Sequence, residues 1–391
     1  MLDLSAAARL LASAHDAPHL APLARAAGCD GPLLPLDAAG LTRIGIGELV
    51  TGGWVASGPG SLRALLVDLP PAADPAALLP TLAARLSRHA SAQLWLLIAV
   101  GTETAVAAWS PDRARPKVVA LRVDRKRVLP SDAETACALA AAPGGVDVVV
   151  HARWVDILGR DALTARFYQA LESLVRQMAE EPARRCPPDE RRALALLHVS
   201  RLLFLAFLET RGWLDGDSRF LARAYEQCLA RGGGFQKRVL HPLFFGTLNT
   251  PARHRAPAAR AFGRLPFLNG GLFSRTALER RNPVAFSDEA FGTLFDTLLL
   301  RYRFTPREES ADWSESAVDP EMLGRAFESL MSADTRRNRG AYYTPLPLVA
   351  QLVDRGLAAA LRGSGVRDED IEAALTGTRV RSSAAKELHA R

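Results

Sequence analysis

The first part of the chain alternates short apolar runs with a row of leucines at helical spacing. Residues 75–89 lie between the first two runs and place their leucines on one helical face, which predicts a helix. The runs themselves have the length of buried strands. They lie at residues 63–69, 93–100, 105–109, 117–124 and 146–150. Strands that alternate with helices predict an α/β or α+β domain over residues 1–150.

The middle of the chain has a different period. Apolar residues recur at helix spacing between Phe167 and Met178, and again from Asp189 onward after a pair of prolines. The second helix is predicted to end at Gly212, because glycine readily adopts the positive φ of a helix C-cap. This pattern predicts a mainly helical connector domain over residues 151–305.

The last part, residues 306–391, opens with an acidic stretch at residues 308–315. We predict that this stretch is an exposed linker, because it is rich in carboxylates and serine. A segment with helical periodicity follows, and it contains Phe327 and Glu328.

A basic and aromatic string, Arg-Arg-Asn-Arg-Gly-Ala-Tyr-Tyr-Thr-Pro, occupies residues 336–345. Thr344 is suited to cap the helix that follows, and Pro345 suits its first position. A helix N-terminus attracts a carboxylate or phosphate. The rings of Tyr342 and Tyr343 offer a stacking wall for a flat or cationic ligand. An ordinary capped helix after a loop is the alternative reading of the same residues.

This string resembles the GxYYTP element of adenine-specific DNA methyltransferases, above all those of type IIG restriction–modification and of phage defence. Glu328 matches the glutamate of the family's preceding helix, and Phe327 replaces its usual tyrosine. The resemblance implies that a Rossmann-like methyltransferase domain starts within residues 306–391. It also implies that the chain contributes to a site for S-adenosylmethionine (AdoMet). The implied cofactor-binding residues are Gly340, Tyr342, Tyr343, Thr344 and Pro345.

Two further segments resemble the same family. Residues 201–217 are similar to its long helix and exit turn, and residues 265–273 are similar to its "PYLNGGLF" loop. The Asn-Gly-Gly triplet of that loop suits a tight turn, so we predict a structural role for it. Arg201 and Glu209 on the helix are expected to form a solvated or paired face.

Other parts of the family's catalytic apparatus do not occur in the sequence. There is no glycine-rich AdoMet strand and no "NPPY" tetrapeptide, which in such enzymes holds the flipped adenine. No catalytic residue is therefore assigned. The expectation is the N-terminal part of a longer methyltransferase, produced by truncation, a split gene or a frameshift and inactive alone. The alternative is a non-catalytic DNA-binding or scaffolding subunit that works with a separate catalytic or recognition chain.

A third alternative is a Mg²⁺-dependent nuclease in the first domain. Asp68 follows a predicted strand, and Asp124-Arg125-Lys126 has the spelling of a nuclease D-x-K element. The two acids are far apart in sequence, and the intervening strands carry no acid–x–lysine. We therefore favour a nuclease-like domain without a working site, or a plain accessory domain, and assign no metal ligand.

The formal net charge of +7 and the sequence pI near 9.6 fit a polyanionic partner, and the resemblance makes that partner double-stranded DNA. Arginine greatly outnumbers lysine, which either genomic base composition or phosphate recognition would produce. The candidates for contact with DNA are Arg253, Arg255, Arg260, Arg264, Arg336, Arg337 and Arg339. A solvated loop of positive charge is the alternative for the first four.

The remaining features favour a cytoplasmic protein. The four cysteines are widely spaced and form no CxxC pair, so they indicate neither a zinc site nor a disulfide framework. The first residues lack the charged and apolar regions of a signal peptide. No uninterrupted apolar run reaches about 18 residues, so no membrane span is expected.

Overall fold

The computed structural model describes residues 2–71, 73–110, 116–181, 186–268, 270–307, 310, 312–330, 346–363 and 366–375. The chain forms two compact units, Met1–Leu330 and Met331–Arg391. The boundaries predicted near residues 150 and 305 both fall inside the first unit. They remain predictions about domain organisation.

A mixed sheet organises the first half of the larger unit. Its seven strands follow one another in sequence order across the sheet. Two neighbouring pairs, β3–β4 and β6–β7, are parallel, and the other four pairs are antiparallel. The strands are β1 (Leu34–Pro35), β2 (Gly52–Ser57), β3 (Leu62–Asp68), β4 (Leu94–Val100), β5 (Thr104–Trp109), β6 (Val118–Val123) and β7 (Trp313–Glu315).

Helices make up most of the rest of the larger unit. Those before and around the sheet are α1 (Leu4–Ser13), α2 (Ala21–Ala26), α3 (Ala38–Arg43), α4 (Pro75–His89), α5 (Pro130–Ala140) and α6 (Asp147–Leu158). Those that follow are α7 (Arg160–Glu180), α8 (Pro188–Thr210), α9 (Phe220–Ala230), α10 (Pro257–Arg260), α11 (Ala277–Arg281), α12 (Asp288–Leu294) and α13 (Pro320–Leu330).

Several short segments have other helical hydrogen-bonding patterns. Three are π-helical: π1 (Gln236–Leu240), π2 (Pro242–Leu248) and π3 (Phe295–Leu299). Single 3-10 turns lie at Pro18–Leu20, Ala252–His254 and Gly271–Phe273.

Helices cover both faces of the sheet because its strands are apolar on both sides. Alternate residues along β4 separate the two layers. Leu96 and Ile98 pack in one core with α1, α2, α5 and α6, whereas Trp95 and Leu97 pack in a second core with α3 and α4. The period of two in the strands thus divides one apolar run between two helical layers.

Four of the five predicted strands are present at the expected places, and the predicted helix 75–89 is present as α4. The fifth prediction is wrong, because residues 147–158 form helix α6. Val150, Trp154 and Leu158 are its buried face, at a spacing of four residues. Val148 and Val149 are exposed, so the run of valines that favoured a strand does not enter a core.

The prediction of an exposed acidic linker is wrong for the residues at its end. Trp313, Ser314 and Glu315 form β7 and are buried. The strand adds to the sheet beside β6, with Trp313 opposite Val118. Arg122 of β6 lies 3.5 Å from the Glu315 carboxylate, so an ion pair accompanies the strand pairing. The larger unit therefore leaves the sheet after β6 and returns to it near residue 313.

The helical part has its own core, built around the long helices α7 and α8. By length and composition, α8 is the one helix among the described residues that is long and apolar enough to cross a membrane. Most of its apolar stretch is buried within the protein, where Leu202, Leu203 and Leu205 pack into the helical core. A core helix passes the same test, so α8 is explained by its packing.

The second unit is described over two helices, α14 (Leu346–Gly363) and α15 (Asp368–Leu375). Leu352, Val353 and Leu357 of α14 are exposed. Ala358 of α14 and Ile371 of α15 are the apolar residues that are buried there.

Candidate nucleic-acid interface

The residues that the GxYYTP resemblance implies lie outside the described residues. This applies to Gly340, Tyr342, Tyr343, Thr344 and Pro345, and equally to Arg336, Arg337 and Arg339. Their assignment to a cofactor pocket or to DNA stays a prediction. The geometry of a candidate site therefore comes from the helical part of the larger unit.

The exit turn of α8 is held in a fixed conformation. The Gly212 amide donates to the Glu209 carbonyl at 2.9 Å, and the Trp213 amide donates to the Leu208 carbonyl at 2.9 Å. With Gly212 at φ +68°, this pairing is a Schellman motif, as the predicted C-cap role of the glycine requires. Trp213 follows directly and is 55% exposed. The end of the helix thus presents an indole ring to solvent.

The exit turn packs against the end of the basic loop. The Arg264 amide donates to the Asp215 carboxylate at 2.9 Å. Gly263 has φ +83°, and a Cβ there would lie 2.5 Å from the Asp215 carboxylate, so this approach requires glycine. Trp213 and Arg264 consequently line one shallow, open depression together with Pro266.

A second cavity, of about 390 Å³, lies on the other side of the same contact. Asp215 belongs to the walls of both depressions, so the two adjoin at this residue. Three arginines line this second cavity: Arg223 of α9, Arg231 directly after α9 and Arg238 of π1. Arg223 forms an ion pair with Asp217, and Arg238 donates to the Arg231 carbonyl at 2.9 Å.

The net charge of the chain is concentrated in this segment. Residues 211–264 contain ten arginines and lysines against three aspartates and glutamates, a net charge of +7. The whole chain also has a formal net charge of +7, so the rest of the sequence is neutral overall. We call the exposed face of residues 211–264 the basic surface. Such a concentration can hold a polyanion through its phosphates.

Four arginines of this loop were candidates for contact with DNA, and Arg255 differs from the other three because it is buried. Its guanidinium donates to three main-chain carbonyls: those of Thr250 at 3.0 Å, Leu265 at 2.9 Å and Pro266 at 3.0 Å. Its side chain therefore ties the loop together, and the geometry corrects the expectation that it faces a phosphate.

The other three arginines of the loop, Arg253, Arg260 and Arg264, are exposed and belong to the basic surface. Arg253 makes no side-chain hydrogen bond among the bonds of the described residues, and Arg264 bonds through its main-chain amide. Arg260 uses its Nε to donate to the Arg255 carbonyl at 3.0 Å. Arg253 and Arg264 are thus the best placed of the predicted set.

Several members of the basic surface were missed at the level of sequence, namely Trp213, Arg223, Arg231 and Arg238. The charge balance of residues 211–264 could have found the arginines, since acids are scarce over that stretch. The exposure of Trp213 had no such signal, because a tryptophan after a helix is usually packed.

The "LNGGLF" loop is anchored by Arg201 of α8, which is fully buried. Its guanidinium donates to the carbonyls of Leu272 at 2.7 Å and Ser274 at 2.9 Å, and to the Glu279 carboxylate at 2.6 and 3.0 Å. The paired reading of Arg201 is confirmed and the solvated one is wrong. Burial alone would raise the pKa of Glu279, but its hydrogen bonds from Arg201 and Thr276 hold that pKa below the usual value.

The carboxylates considered for a nuclease do not form a metal site among the described residues. Asp68 accepts the Ala17 amide at 2.7 Å, and burial raises its pKa. Arg125, which shares its depression, donates to the carbonyls of Ala14 and Gly101. Asp124 accepts the amide of Lys126 at 2.9 Å. In the part of the chain that the structure describes, no group of three His, Cys, Asp or Glu side chains could hold a metal ion.

The chain is similar to part of a curated protein. That protein is named "Putative type II restriction enzyme and methyltransferase" and comes from Methanocaldococcus jannaschii. The two are 31% identical over 172 residues, which are 41% of this chain and 14% of the relative. The chain thus matches a small part of a much longer protein. No protein-family model matches the chain, and no solved structure matches it.

Proposed function

We propose that this chain is part of a DNA methyltransferase of a restriction–modification or phage-defence system, which transfers the AdoMet methyl group to N6 of adenine. The observation that carries the proposal is the 31% identity to the archaeal restriction enzyme and methyltransferase. The GxYYTP resemblance at residues 336–345 supports the choice of adenine and of AdoMet.

In this proposal the residues of the GxYYTP string form one wall of the cofactor pocket. AdoMet supplies the methyl group when it is bound. The contribution of Tyr342 and Tyr343 is a stacking wall, and the helix that starts after Pro345 offers its N-terminal amides to a carboxylate. The same proposal gives the basic surface the task of holding the DNA backbone.

The basic surface supports a contact with DNA through charge rather than through base reading. Arg231, Arg253 and Arg264 are exposed. Each phosphate that such a side chain neutralises releases condensed counterions, which makes the affinity fall with salt. Trp213 lies beside Arg264 and offers an exposed ring for contact with a sugar or a base.

The DNA contact is tested by fluorescence anisotropy with a 30-base-pair duplex over a series of NaCl concentrations. A variant with Arg231→Gln, Arg253→Gln and Arg264→Gln is expected to reduce the slope of log K against log salt by about 3, since each lost phosphate contact removes about 0.9. Trp213→Ala is expected to weaken binding several-fold while it leaves the slope unchanged, because the ring carries no charge.

The matched control removes three exposed arginines from the sheet part, as Arg25→Gln, Arg43→Gln and Arg88→Gln. It changes the net charge by the same amount as the first triple variant. Because its three arginines lie outside residues 211–264, it is expected to leave most of the DNA affinity and of the salt slope intact. Equal losses in both triple variants would mean that only overall charge attracts the DNA. That result would contradict a defined interface on residues 211–264.

The cofactor part is tested by equilibrium dialysis of the chain with labelled AdoMet. Replacing Tyr342 and Tyr343 together by alanine is expected to weaken saturable AdoMet binding at least tenfold. Tyr168→Phe is the control, because that tyrosine lies in the helical part and bonds to the Met322 carbonyl. AdoMet binding that survives the double alanine variant unchanged would remove these tyrosines from the pocket.

A further inference from the structure

A third cavity in the helical part shares no lining residue with the two depressions around Asp215. It has a volume of about 290 Å³ and lies among α8, the segments π1 and π2, and residues 275–286. Volumes of about 300–1,000 Å³ are typical of pockets for small ligands, so this one is suited to a small molecule. The π1 and π2 segments, with His241 between them, supply four of its lining residues: Gln236, Lys237, His241 and Phe245. Short π-helical segments are frequent at functional sites.

The floor of the cavity is polar but internally satisfied. His198 is buried, and its Nδ1 lies 2.9 Å from the Leu194 carbonyl, so Nδ1 carries the proton and donates. Its Nε2 then accepts from the Gln236 amide at 3.3 Å, while Gln236 Oε1 accepts from the Phe286 amide at 2.7 Å. Burial lowers the pKa of His198 to about 4, so the floor is uncharged at neutral pH.

One wall of the cavity is apolar. It consists of Leu194, Phe245, Pro283, Val284, Ala285 and Phe286. Phe286 packs edge-on against His198 at 5.4 Å between ring centroids. Aromatic and aliphatic walls around a satisfied polar floor favour the flat ring of a ligand over a hydrated ion.

The rim carries two cations without a carboxylate partner. Lys237 and Arg275 are exposed, and neither forms an ion pair among the described residues. The nearby Glu279 cannot serve them, because Arg201 binds both of its oxygens. Burial, reinforced by Arg275, lowers the pKa of His241, so that side chain adds no charge at neutral pH. The rim therefore has a net charge near +2.

Arg275 is also held in place over the cavity. Its guanidinium carbon lies 4.6 Å from the centroid of the Phe245 ring, within the range of a cation–π contact. Because this contact uses the face of the guanidinium, its N–H groups at the edge remain available to an anion. Lys237, from π1, approaches the same rim from another element.

We propose that this cavity binds a small organic anion with a flat ring, of the mononucleotide class. The ring occupies the apolar wall, and the phosphate lies between Lys237 and Arg275. A free phosphate lacks the ring and a nucleoside lacks the charge, so the geometry favours a ligand that has both. The cavity shares no lining residue with the two depressions around Asp215.

The probe is AMP, titrated into the full chain by isothermal calorimetry, with adenosine and inorganic phosphate as half-ligands. We expect saturable AMP binding with a Kd below about 1 mM and at least tenfold weaker binding of either half-ligand, a difference of about 1.4 kcal/mol. Lys237→Gln with Arg275→Gln is expected to weaken AMP at least tenfold. The control, Arg176→Gln with Arg192→Gln, removes two exposed cations elsewhere and is expected to have no effect.

A second variant tests the cavity itself. Ala285 is exposed at its wall, so Ala285→Trp fills the opening without disturbing the core and is expected to abolish AMP binding. No saturable AMP binding, or equal binding by the parent and the rim variant, would overturn the proposal. If the rim variant instead lowers only the salt slope of DNA binding, Lys237 and Arg275 belong to the DNA surface. The proposed function would then stand, and the AMP site would be rejected. Conversely, a chain that binds AMP but not DNA would support the AMP site and contradict the proposed contact with DNA.

Discussion

Arginine has opposite roles in the sheet part and in residues 211–264. On the sheet, Arg122 lies among three carboxylates, at 2.5 Å from Glu103, 3.5 Å from Glu315 and 3.7 Å from Asp74. In residues 211–264, bases outnumber acids by ten to three, and among the described residues only Arg219 and Arg223 of this segment form ion pairs. Neighbouring carboxylates, or main-chain carbonyls in the case of Arg255, decide whether an arginine is bonded or open.

The comparison also bears on the excess of arginine in the composition. Genomic base composition would scatter arginine without regard to structure. In this chain some arginines are buried or half-buried and bonded: Arg122, Arg160, Arg201, Arg255 and Arg303 contact carboxylates or carbonyls. Others are exposed, among them Arg231, Arg253 and Arg264 of the basic surface. Arginine suits both tasks because its planar guanidinium has five donors and keeps its charge when buried.

The largest expected effect comes from breaking a buried arginine. Arg201→Met would leave the Glu279 carboxylate without its partner and free two main-chain carbonyls of the "LNGGLF" loop. We expect a loss of about 3–5 kcal/mol in the free energy of unfolding, measured by urea denaturation. Arg176→Ala on α7 is the control and is expected to change stability by less than about 0.5 kcal/mol. A loss below about 1 kcal/mol in the free energy of unfolding for Arg201→Met would show that the contacts of Arg201 contribute little to stability.

A smaller effect separates two arginines of one loop. Arg255→Gln removes donors to three carbonyls and is expected to cost about 2–3 kcal/mol of stability, because buried carbonyls lose their partners. Arg253→Gln is expected to leave stability unchanged and to reduce the salt slope of DNA binding by about 1. Thermal unfolding and DNA titration of both variants decide the matter. Equal stability and equal salt slopes in the two variants would contradict the different roles assigned to Arg255 and Arg253.

The smallest effect concerns an acid at the border of the basic segment. Glu209 accepts the Leu221 amide at 2.9 Å, and burial raises its pKa from 4.5 to about 7 despite that hydrogen bond. A raised pKa means that the folded state binds the proton more tightly. Its stabilising contribution is therefore complete below pH 4.5 and is lost as the pH rises through 7.

Glu209→Gln removes this titration while it keeps an oxygen for the Leu221 amide. The Tm of the variant is expected to exceed that of the parent by a few degrees at pH 8, with the difference vanishing near pH 4.5. Tm measured across this range checks the sign. A parent that is the more stable protein at pH 8 would show that the carboxylate is stabilised by Arg127 more than it is penalised by burial.

Local patterns predicted the elements whose own apolar residues determine how they are buried. The run at residues 94–100 lies in the sheet because all its side chains are apolar, and α4 forms because its leucines share a face. The valines at residues 146–150 misled the prediction, since β-branched residues favour strands. The longer row of Val150, Trp154 and Leu158 outweighed them, because it buries a helical face against the sheet.

The prediction of an exposed linker at residues 308–315 was wrong for a different reason. Glu315 reads as a solvent-facing charge, yet it is buried because Arg122, far away in sequence, lies across the strand from it. Burial raises the pKa of Glu315, and the attraction of Arg122 opposes that shift. A pairing of this kind cannot be read locally, since it depends on the return of the chain to β6.

The sequence by itself determined the strands and helices with one apolar face, the excess of positive charge and the resemblance to a methyltransferase element. The tertiary structure decided which arginines are buried clamps and which are open, that Trp213 and Arg264 share a surface, and that Lys237 and Arg275 share a rim. The physical reason is the distance along the sequence over which each effect acts. Apolar periodicity acts over neighbouring turns, whereas the partner of a charge is chosen by contacts between residues that only folding brings together.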